Sequence, residues 1–164
     1  MKEIVKPSGV QYMSTPLGFL KIIAVDGYLA EIQFVENPTE IEQKNEISES
    51  VILQLQEYFD GKRQEFDLPL KPFGTDFQKE VWKELLKIEF GQLSNYKSIA
   101  ISLGDPNKNR AVGNANGANP IPIIIPCHRV IGSNNNMIGY SGGIDKKRWL
   151  IEHENAGLGG SLFG

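Results

Sequence analysis

Residues 108–132 read KNRAVGNANGANPIPIIIPCHRVIG, and this stretch carries most of the fold prediction. Its first part, KNRAVGNANG, predicts a helix of small residues that could approach another backbone closely or enter a narrow groove. Its second part is an apolar run bounded by Pro122 and Pro126, followed directly by Cys127 and His128. Proline fixes φ and biases the preceding residue toward extended geometry, so the run predicts a short buried strand that ends at Cys127.

Cys127 has two interpretations on this stretch alone. Free cysteine is among the most buried residue types and behaves as a small hydrophobic side chain, so Cys127 is a candidate core residue. A stiff strand that ends at a thiol is equally a way to hold a nucleophile in a defined place. The residues of this stretch leave both interpretations open.

Helical patterns flank the stretch on both sides. Thr75 or Asp76 can cap one helix, and Ser94 can cap a second that runs to Leu103. A GDPN turn then leads into the 108–117 helix, which completes a helix-turn-helix pattern of low specificity. Residues 144–155 predict a last helix, and the glycine-rich tail after it is expected to fray.

The first half of the chain predicts a sheet. Between Gln11 and Val35, apolar and polar residues alternate around two turn signals, which predicts a three-stranded antiparallel meander. A helical pattern follows at 48–59, and residues 61–73 read as a connection. We therefore predict an α+β protein with an N-terminal α/β domain over 1–73. A mainly helical C-terminal domain over 74–164 would contain the helix-turn-helix.

The counts of cysteine and histidine limit the chemistry. With one cysteine and two histidines, the chain cannot form an internal disulfide, and no metal site is expected. The N-terminal residues lack the apolar core of a secretion signal, and no apolar run has the length of a membrane span. We therefore expect a cytoplasmic protein with no membrane partner.

Charge is distributed unevenly along the chain. The net charge is −3, but residues 1–74 hold seven basic against twelve acidic residues, and residues 75–164 hold ten against eight. Within 90–130 the charged residues are Lys97, Lys108, Arg110 and Arg129 against Asp105 alone. This local excess of positive charge fits phosphate binding, and it fits an ordinary solvated face as well.

The second half of the chain resembles the O6-alkylguanine-DNA alkyltransferases, which repair damaged bases in DNA. The segments that carry the resemblance are YKSIA, NRAVGNANGANPIPIIIPCHRVIG, YSGG and KRWLIEHE. The resemblance covers residues 75–156 in order and spacing, and PCHRV is its most specific motif. It implies irreversible, single-turnover transfer of a methyl or other alkyl group from guanine O6 to Cys127. Thymine O4 stays open as a second target.

The resemblance implies four catalytic roles. Cys127 would accept the alkyl group, His128 would act on the thiol through a bound water, and Glu154 would orient the imidazole. Direct contact between Cys127 and His128 is not expected, because adjacent side chains on a strand point to opposite faces. Tyr96 would donate to the leaving guanine. Taken singly, a satisfied histidine, a surface glutamate and a core tyrosine remain alternatives.

A second implied set of residues binds DNA. Because the damaged base lies inside the duplex, it must be rotated out of the stack. Arg110 would fill the space that the rotated base leaves in the stack. A single arginine more commonly lies on the surface or binds phosphate, and that alternative remains. Tyr96, Ala111, Ala115 and Asn116 are the other implied contacts. Asn116 and Gly117 depart from relatives with a large apolar residue and a second arginine there.

The remaining implied residues shape the base pocket. Backbone groups of Cys127 and Val130 would accept from the exocyclic amine of guanine, and Val130, Tyr140, Ser141 and Gly142 would line the pocket. Asn119, before Pro120, resembles a hinge asparagine whose side chain bonds to backbone.

The implied reaction needs no cofactor, because a thioether at Cys127 is a stable end product. The implied partner is double-stranded DNA that contains O6-alkylguanine, bound through the minor groove by a monomer. Three other functions fit parts of the pattern. They are a cysteine hydrolase that uses Cys127, His128 and Glu154, a noncatalytic lesion-binding protein, and a transcription regulator that uses the helix pair alone.

Overall fold

The computed structural model describes residues 6–132, 140 and 142–158 of the chain. The chain forms two compact units, Met1–Phe73 and Gly74–Gly164. An antiparallel sheet with one helix builds the first unit, and helices dominate the second. The predicted α+β class is confirmed.

The sheet of the first unit is the predicted meander. Strands β1 (Gly9–Thr15), β2 (Gly18–Val25) and β3 (Tyr28–Val35) pair antiparallel in the order β1-β2-β3. Asp26 and Gly27 connect β2 to β3 with φ of 49° and 82°. A two-residue hairpin turn with two positive φ values matches the twist of the strands, so the DG signal correctly placed this turn.

Helix α1 (Glu46–Phe59) covers one face of the sheet. Asn45 caps it, with a capping box completed by Ser48, so the helix begins two residues before the Ser48 start of the predicted helix. Apolar side chains from β2, β3 and α1 are fully buried together and form the core of this unit: Leu20, Ile22, Leu29, Val51, Leu55 and Tyr58.

The predicted connection over 61–73 is attached to the first unit. The Leu29 amide donates to the Pro69 carbonyl over 2.8 Å, and the Lys71 amide donates to the Leu29 carbonyl over 2.9 Å. These two bonds extend the edge of β3 by one short parallel bridge. The segment is therefore a part of the sheet edge rather than a free linker.

The second unit contains four helices and a two-stranded parallel pair. Its elements are α2 (Asp76–Leu85), β4 (Ser94–Asn95), α3 (Tyr96–Ser102), α4 (Asn109–Gly117), β5 (Val130–Ile131) and α5 (Ile144–Gly157). Thr75 caps α2, as predicted. The cap of α3 is Asn95 rather than the predicted Ser94, because the Asn95 side chain accepts from the Ser98 amide over 2.8 Å. The end of the predicted glycine-rich tail, 159–164, lies outside the described residues.

Helices α3 and α4 form the predicted helix pair. A single 3-10 turn, Pro106–Lys108, joins them, and α4 packs against both α2 and α3. The indole nitrogen of Trp82 donates to the Ala115 carbonyl over 2.9 Å. The same carbonyl accepts from the Ala118 amide over 3.2 Å, so the bond from Trp82 adds a second donor at the C-terminal end of α4 and ties it to α2.

The strand predicted over 121–126 is wrong. The Ile125 amide donates to the Ile121 carbonyl over 3.0 Å, and Ile123 has a φ of 74°, so the run is a turn. The two prolines exclude a helix, but they do not distinguish a strand from a turn. The isoleucines are buried, as predicted, and the turn leads to a 3-10 turn over Cys127–Arg129.

In the described part of the chain, no helix combines the length and the apolar character needed to cross a membrane.

Candidate active site

Cys127 lies in the interior, at the start of the 3-10 turn between the isoleucine turn and β5. Its side chain is 4% exposed, and its amide donates to the Ile125 carbonyl over 2.8 Å. Burial raises the pKa of the Cys127 thiol to about 11, while a hydrogen bond from Asn119 and the charge of Lys147 oppose that rise. The thiol therefore holds its proton at neutral pH until a nearby base removes it.

His128 and Glu154 form a buried pair. His128 Nε2 lies 2.7 Å from Glu154 Oε2, and both side chains are inaccessible to solvent. Burial lowers the pKa of His128, and Glu154 opposes that shift, so the imidazole is neutral at pH 7. Nε2 then carries the proton and donates to the carboxylate, which leaves Nδ1 as an acceptor. Nδ1 receives no hydrogen bond from residues 6–132, 140 or 142–158.

Arg129 fixes the carboxylate behind the histidine. Its Nε donates to Glu154 Oε1 over 2.7 Å and its Nη2 to Glu154 Oε2 over 3.0 Å, a bidentate pair. The Gly91 amide adds a bond of 3.2 Å to Oε1. Burial alone would raise the pKa of Glu154, but His128 and Arg129 outweigh it and hold this pKa well below its ordinary value. Glu154 is therefore ionised and immobilised.

The position of Arg129 corrects the charge interpretation of the sequence. Arg129 was counted with the local positive surface, but it is buried, and its charge is neutralised by Glu154. Its Nη1 also donates to the Ile88 carbonyl over 2.6 Å. Lys97, Lys108 and Arg110 remain as exposed positive charges in this region.

Lys147 is a second buried cation, which the sequence analysis did not single out. It lies on α5, fully buried, and its Nζ donates to the Val130 carbonyl over 2.6 Å. Burial lowers the pKa of the Lys147 ammonium, and the thiolate form of Cys127 opposes that shift. A positive charge in this position stabilises a thiolate at Cys127.

Asn119 ties the isoleucine turn to the end of α4. Its Nδ2 donates to the Ile125 carbonyl over 2.8 Å, and its Oδ1 accepts from the Ile121 amide over 3.0 Å. The predicted pattern for this residue was a side chain bonded to backbone, and both bonds follow that pattern. They hold the segment that precedes Cys127.

Tyr96 begins α3 and lies close to α4. A Cβ atom at Gly113 would be 4.0 Å from the Tyr96 ring, which is ordinary van der Waals contact, so the ring packs beside this glycine. Burial and the charge of Cys127 raise the pKa of Tyr96, and a hydrogen bond from the Asn116 side chain opposes the rise. The hydroxyl is therefore protonated and able to donate at neutral pH.

The two faces of α4 differ in exposure. Arg110, Ala111 and Asn114 are exposed, while Ala115 and Asn116 are buried. A side-chain contact between DNA and Ala115 or Asn116 therefore has no support from their orientation. Asn114, four positions after Arg110, is exposed on the same face of α4 as Arg110.

The structure describes three of the four residues that were predicted to line the base pocket. Val130 and Tyr140 are buried, and Gly142 lies in a turn before α5. Burial raises the pKa of Tyr140 well above its ordinary value, and the charges of Cys127 and Glu154 add to this rise. Ser141 lies outside the described residues. In the described chain, no three His, Cys, Asp or Glu side chains are grouped to hold a metal ion.

Both units match models of a known family. Residues 76–156 match the DNA binding domain of 6-O-methylguanine DNA methyltransferase, and residues 10–72 match its ribonuclease-like domain. A methylated-DNA–protein-cysteine methyltransferase of Methanosarcina barkeri is 42% identical over 152 residues, which cover 89% of this chain and 96% of the relative. One of Mycobacterium bovis is 41% identical over 149 residues, 88% of this chain and 90% of that protein.

Solved structures agree with the sequence relatives. The crystal structure of Mycobacterium tuberculosis O6-methylguanine methyltransferase has a TM-score of 0.82 at 40% identity, and the match covers 90% of this chain and 92% of that one. The structure of Mycobacterium tuberculosis OGT in complex with DNA has a TM-score of 0.80 at 41% identity, over 90% and 93% of the two chains.

Proposed function

This chain belongs to the 6-O-methylguanine DNA methyltransferase family, and we propose that Cys127 is the residue that accepts the alkyl group. The protein is a methylated-DNA–protein-cysteine methyltransferase, which repairs DNA by transfer of an alkyl group from guanine O6 to a cysteine. Cys127 is the only cysteine of the chain. Reaction at this residue consumes the protein, so each molecule reacts once.

In the proposed reaction, Cys127 Sγ attacks the alkyl carbon, the bond from that carbon to O6 breaks, and a thioether forms. The thiol proton passes to His128 Nδ1 through a water molecule, because Nε2 is already bonded to Glu154. Tyr96 supplies a proton to the departing guanine, and the proton on His128 restores the tyrosine. The products are a neutral guanine and alkylated Cys127.

The orientation of His128 carries the proposal. Its Nε2 is bound to a carboxylate that Arg129 and Gly91 hold in place, so its Nδ1 is a base with a fixed position. A buried acceptor that receives no bond from the described chain fits a proton relay better than a structural histidine. This is the order of groups that activates nucleophiles in hydrolases, with a water interposed here.

The DNA side of the proposal rests on α4. Its exposed face carries Arg110 and small residues, so the helix can approach a groove while the arginine fills the place of the flipped base. We assign DNA binding and alkyl transfer to the second unit, with DNA bound through the minor groove by a monomer. We place the protein in the cytoplasm of its cell, where its substrate DNA is accessible, and we expect no cofactor.

The test uses duplex DNA that carries one labelled O6-methylguanine. We expect one methyl group per protein molecule, mapped by peptide mass to Cys127, and no transfer with Cys127→Ser. An activated ester assayed in parallel tests the hydrolase alternative. Label on another residue, or repeated turnover of the ester by wild-type protein, would contradict the proposal.

A further inference from the structure

The contact between His128 and Glu154 has two opposite effects on a histidine that accepts a proton. The bond from Nε2 to Glu154 Oε2, 2.7 Å long, orients the ring and leaves Nδ1 as the acceptor. Burial lowers the pKa of His128, but the negative charge of Glu154 raises it. A protonated imidazole donates from both nitrogens, so its Nδ1 cannot take a proton from the Cys127 thiol. The carboxylate must therefore orient the ring without charging it.

Arg129 places a positive charge on the same carboxylate. Its Nε and Nη2 donate to the two Glu154 oxygens over 2.7 and 3.0 Å, and its side chain is 8% exposed. A guanidinium stays charged throughout the ordinary pH range and matches a carboxylate in a bidentate pair. After burial, the charges of Arg129 and Lys147 are the effects that lower the pKa of His128. Arg129 is the one of these two cations that binds the carboxylate directly.

Backbone groups that follow α2 hold this ion pair in one geometry. Arg129 Nη1 donates to the Ile88 carbonyl over 2.6 Å, and the Gly91 amide donates to Glu154 Oε1 over 3.2 Å. The Phe90 ring lies beside the guanidinium, with 5.9 Å between Arg129 Cζ and the ring centroid. The countercharge of Glu154 therefore has a fixed place on the side of the carboxylate away from the solvent.

We propose that Arg129 is a positioning residue that keeps His128 neutral, because its guanidinium neutralises the carboxylate that orients the imidazole. The inference rests on the proposed function, since the role of base is what requires a neutral ring. An ion pair that only supports the fold has a different consequence. Without the guanidinium, the buried carboxylate takes its countercharge from a neighbour that can gain a proton, and that neighbour is His128.

The charge state of His128 is measured by nitrogen-15 NMR of the imidazole nitrogens between pH 5.5 and 8.5. His153→Gln identifies the signals of the other histidine. We expect a neutral ring with its proton on Nε2 in wild type. In Arg129→Gln we expect a ring that is protonated at pH 6 and loses this proton about one unit or more above wild type. Arg148→Gln removes an exposed arginine from α5, so it is the matched control and should leave His128 neutral.

The rate of benzyl transfer from O6-benzylguanine to Cys127 measures the consequence for the reaction. Relative to wild type at the same pH, Arg129→Gln should lose about three- to tenfold more at pH 6 than at pH 8, because a shift of one unit changes the neutral fraction of His128 by up to about tenfold. The ratio at each pH removes the pH dependence of the thiol itself. An ion pair that only supports the fold predicts the same loss at both pH values.

A double variant tests whether the carboxylate is what charges the ring. Arg129→Met combined with Glu154→Gln removes both charges and keeps an acceptor for Nε2. We expect the imidazole of this double variant to be neutral again at pH 6. A protonated ring would contradict the inference, because no carboxylate remains to attract the proton.

The stability of Arg129→Gln decides the case in which this variant folds poorly. With the pKa of His128 raised above its unfolded value, protonation stabilises the folded state at low pH, and this contribution is lost as the pH rises. The Tm should therefore lie closer to that of wild type at pH 6 than at pH 8. A neutral ring at pH 6, or no folding at pH 6, would overturn the inference alone. No benzyl group on wild-type Cys127 would overturn the proposed function, whatever the NMR signals show.

Discussion

At the scale of single residues, the buried charges of the second unit decide how Cys127 ionises. Arg129 and Glu154 neutralise each other in a bidentate pair, and His128 is neutral. Lys147 remains as a buried cation close enough to act on the thiol. A thiolate formed at Cys127 therefore lies in the field of this buried positive charge. Lys147 is thus the countercharge of the thiolate.

Replacement of Lys147 by methionine should slow alkylation at neutral pH. A positive neighbour lowers the pKa of Cys127, so its removal moves deprotonation of the thiol to higher pH. We expect a rate loss on the order of tenfold at pH 7, which corresponds to a shift of about one unit. Because the Cys127 pKa of about 11 lies above the range of the assay, both rates should rise with pH and the variant should stay slower than wild type while Lys147 is charged. The rate of O6-benzylguanine transfer between pH 6 and 10 measures this shift.

Two further substitutions separate charge from hydrogen bonding at this position. Lys147→Gln keeps a donor for the Val130 carbonyl without the charge, and Lys147→Arg keeps both. If the charge matters, the glutamine variant behaves like the methionine variant and the arginine variant resembles wild type. A glutamine variant with the wild-type pH profile would show that Lys147 acts only as a hydrogen-bond donor.

Residue patterns predict part of this site. The resemblance led to Cys127, His128 and Glu154, and the structure places the last two 2.7 Å apart across 26 positions of chain. Arg129 was counted as a surface charge, because composition does not separate buried cations from exposed ones. For Lys147 a signal existed, since residues 147, 150, 151 and 154 share one helical face. Two of those four residues are apolar, so this face was expected to be buried.

At the scale of elements, the strands and helices were predicted better than the segments between them. The meander, α1 and α2 follow periodicity and capping signals that act over a few residues. The isoleucine turn does not, because its shape depends on bonds from Asn119 to Ile121 and Ile125. Asn119 precedes the turn in sequence, but nothing local shows where its amide points. The turn therefore required the tertiary structure.

Helix α4 is where a substitution should separate DNA binding from chemistry. Arg110 is exposed on α4, away from the buried face that holds Asn116. Without the arginine, the flipped state loses its substitute for the missing base, and flipping costs a few kcal/mol. We expect Arg110→Ala to lose on the order of ten- to a hundredfold on O6-methylguanine in duplex DNA. Its rate on free O6-benzylguanine should stay within about twofold of wild type.

Arg110→Lys is the matched control, because it keeps the charge and loses the planar group. If Arg110 only binds phosphate, the lysine variant keeps most of the duplex activity. If it fills the gap in the base stack, the lysine variant loses as much duplex activity as the alanine variant. Equal losses on duplex DNA and free base would mean that Arg110 supports the fold of the site instead.

At the scale of the whole molecule, charge and structure divide along the same boundary. The acidic excess lies in residues 1–74 and the basic excess in 75–164, and the two compact units meet at Phe73 and Gly74. The second unit contains every residue of the proposed site. The charge counted by segment therefore indicates the boundary between the units, which the net charge of −3 does not show. The attachment of 61–73 to the sheet edge was not visible in composition.

Alkylation of Cys127 should lower the stability of the protein. Cys127 is buried, with 4% of the residue exposed, so an added methyl group overfills the space around its sulfur. Overpacking costs about 1–3 kcal/mol, and in proteins of this size each kcal/mol lowers Tm by roughly 2–4 °C. We expect calorimetry to show a Tm lower by about 2–12 °C after reaction with one equivalent of O6-methylguanine DNA and removal of the DNA. Cys127→Ser taken through the same treatment should keep its Tm, and an unchanged or higher Tm in the methylated protein would mean that the site has room for the product.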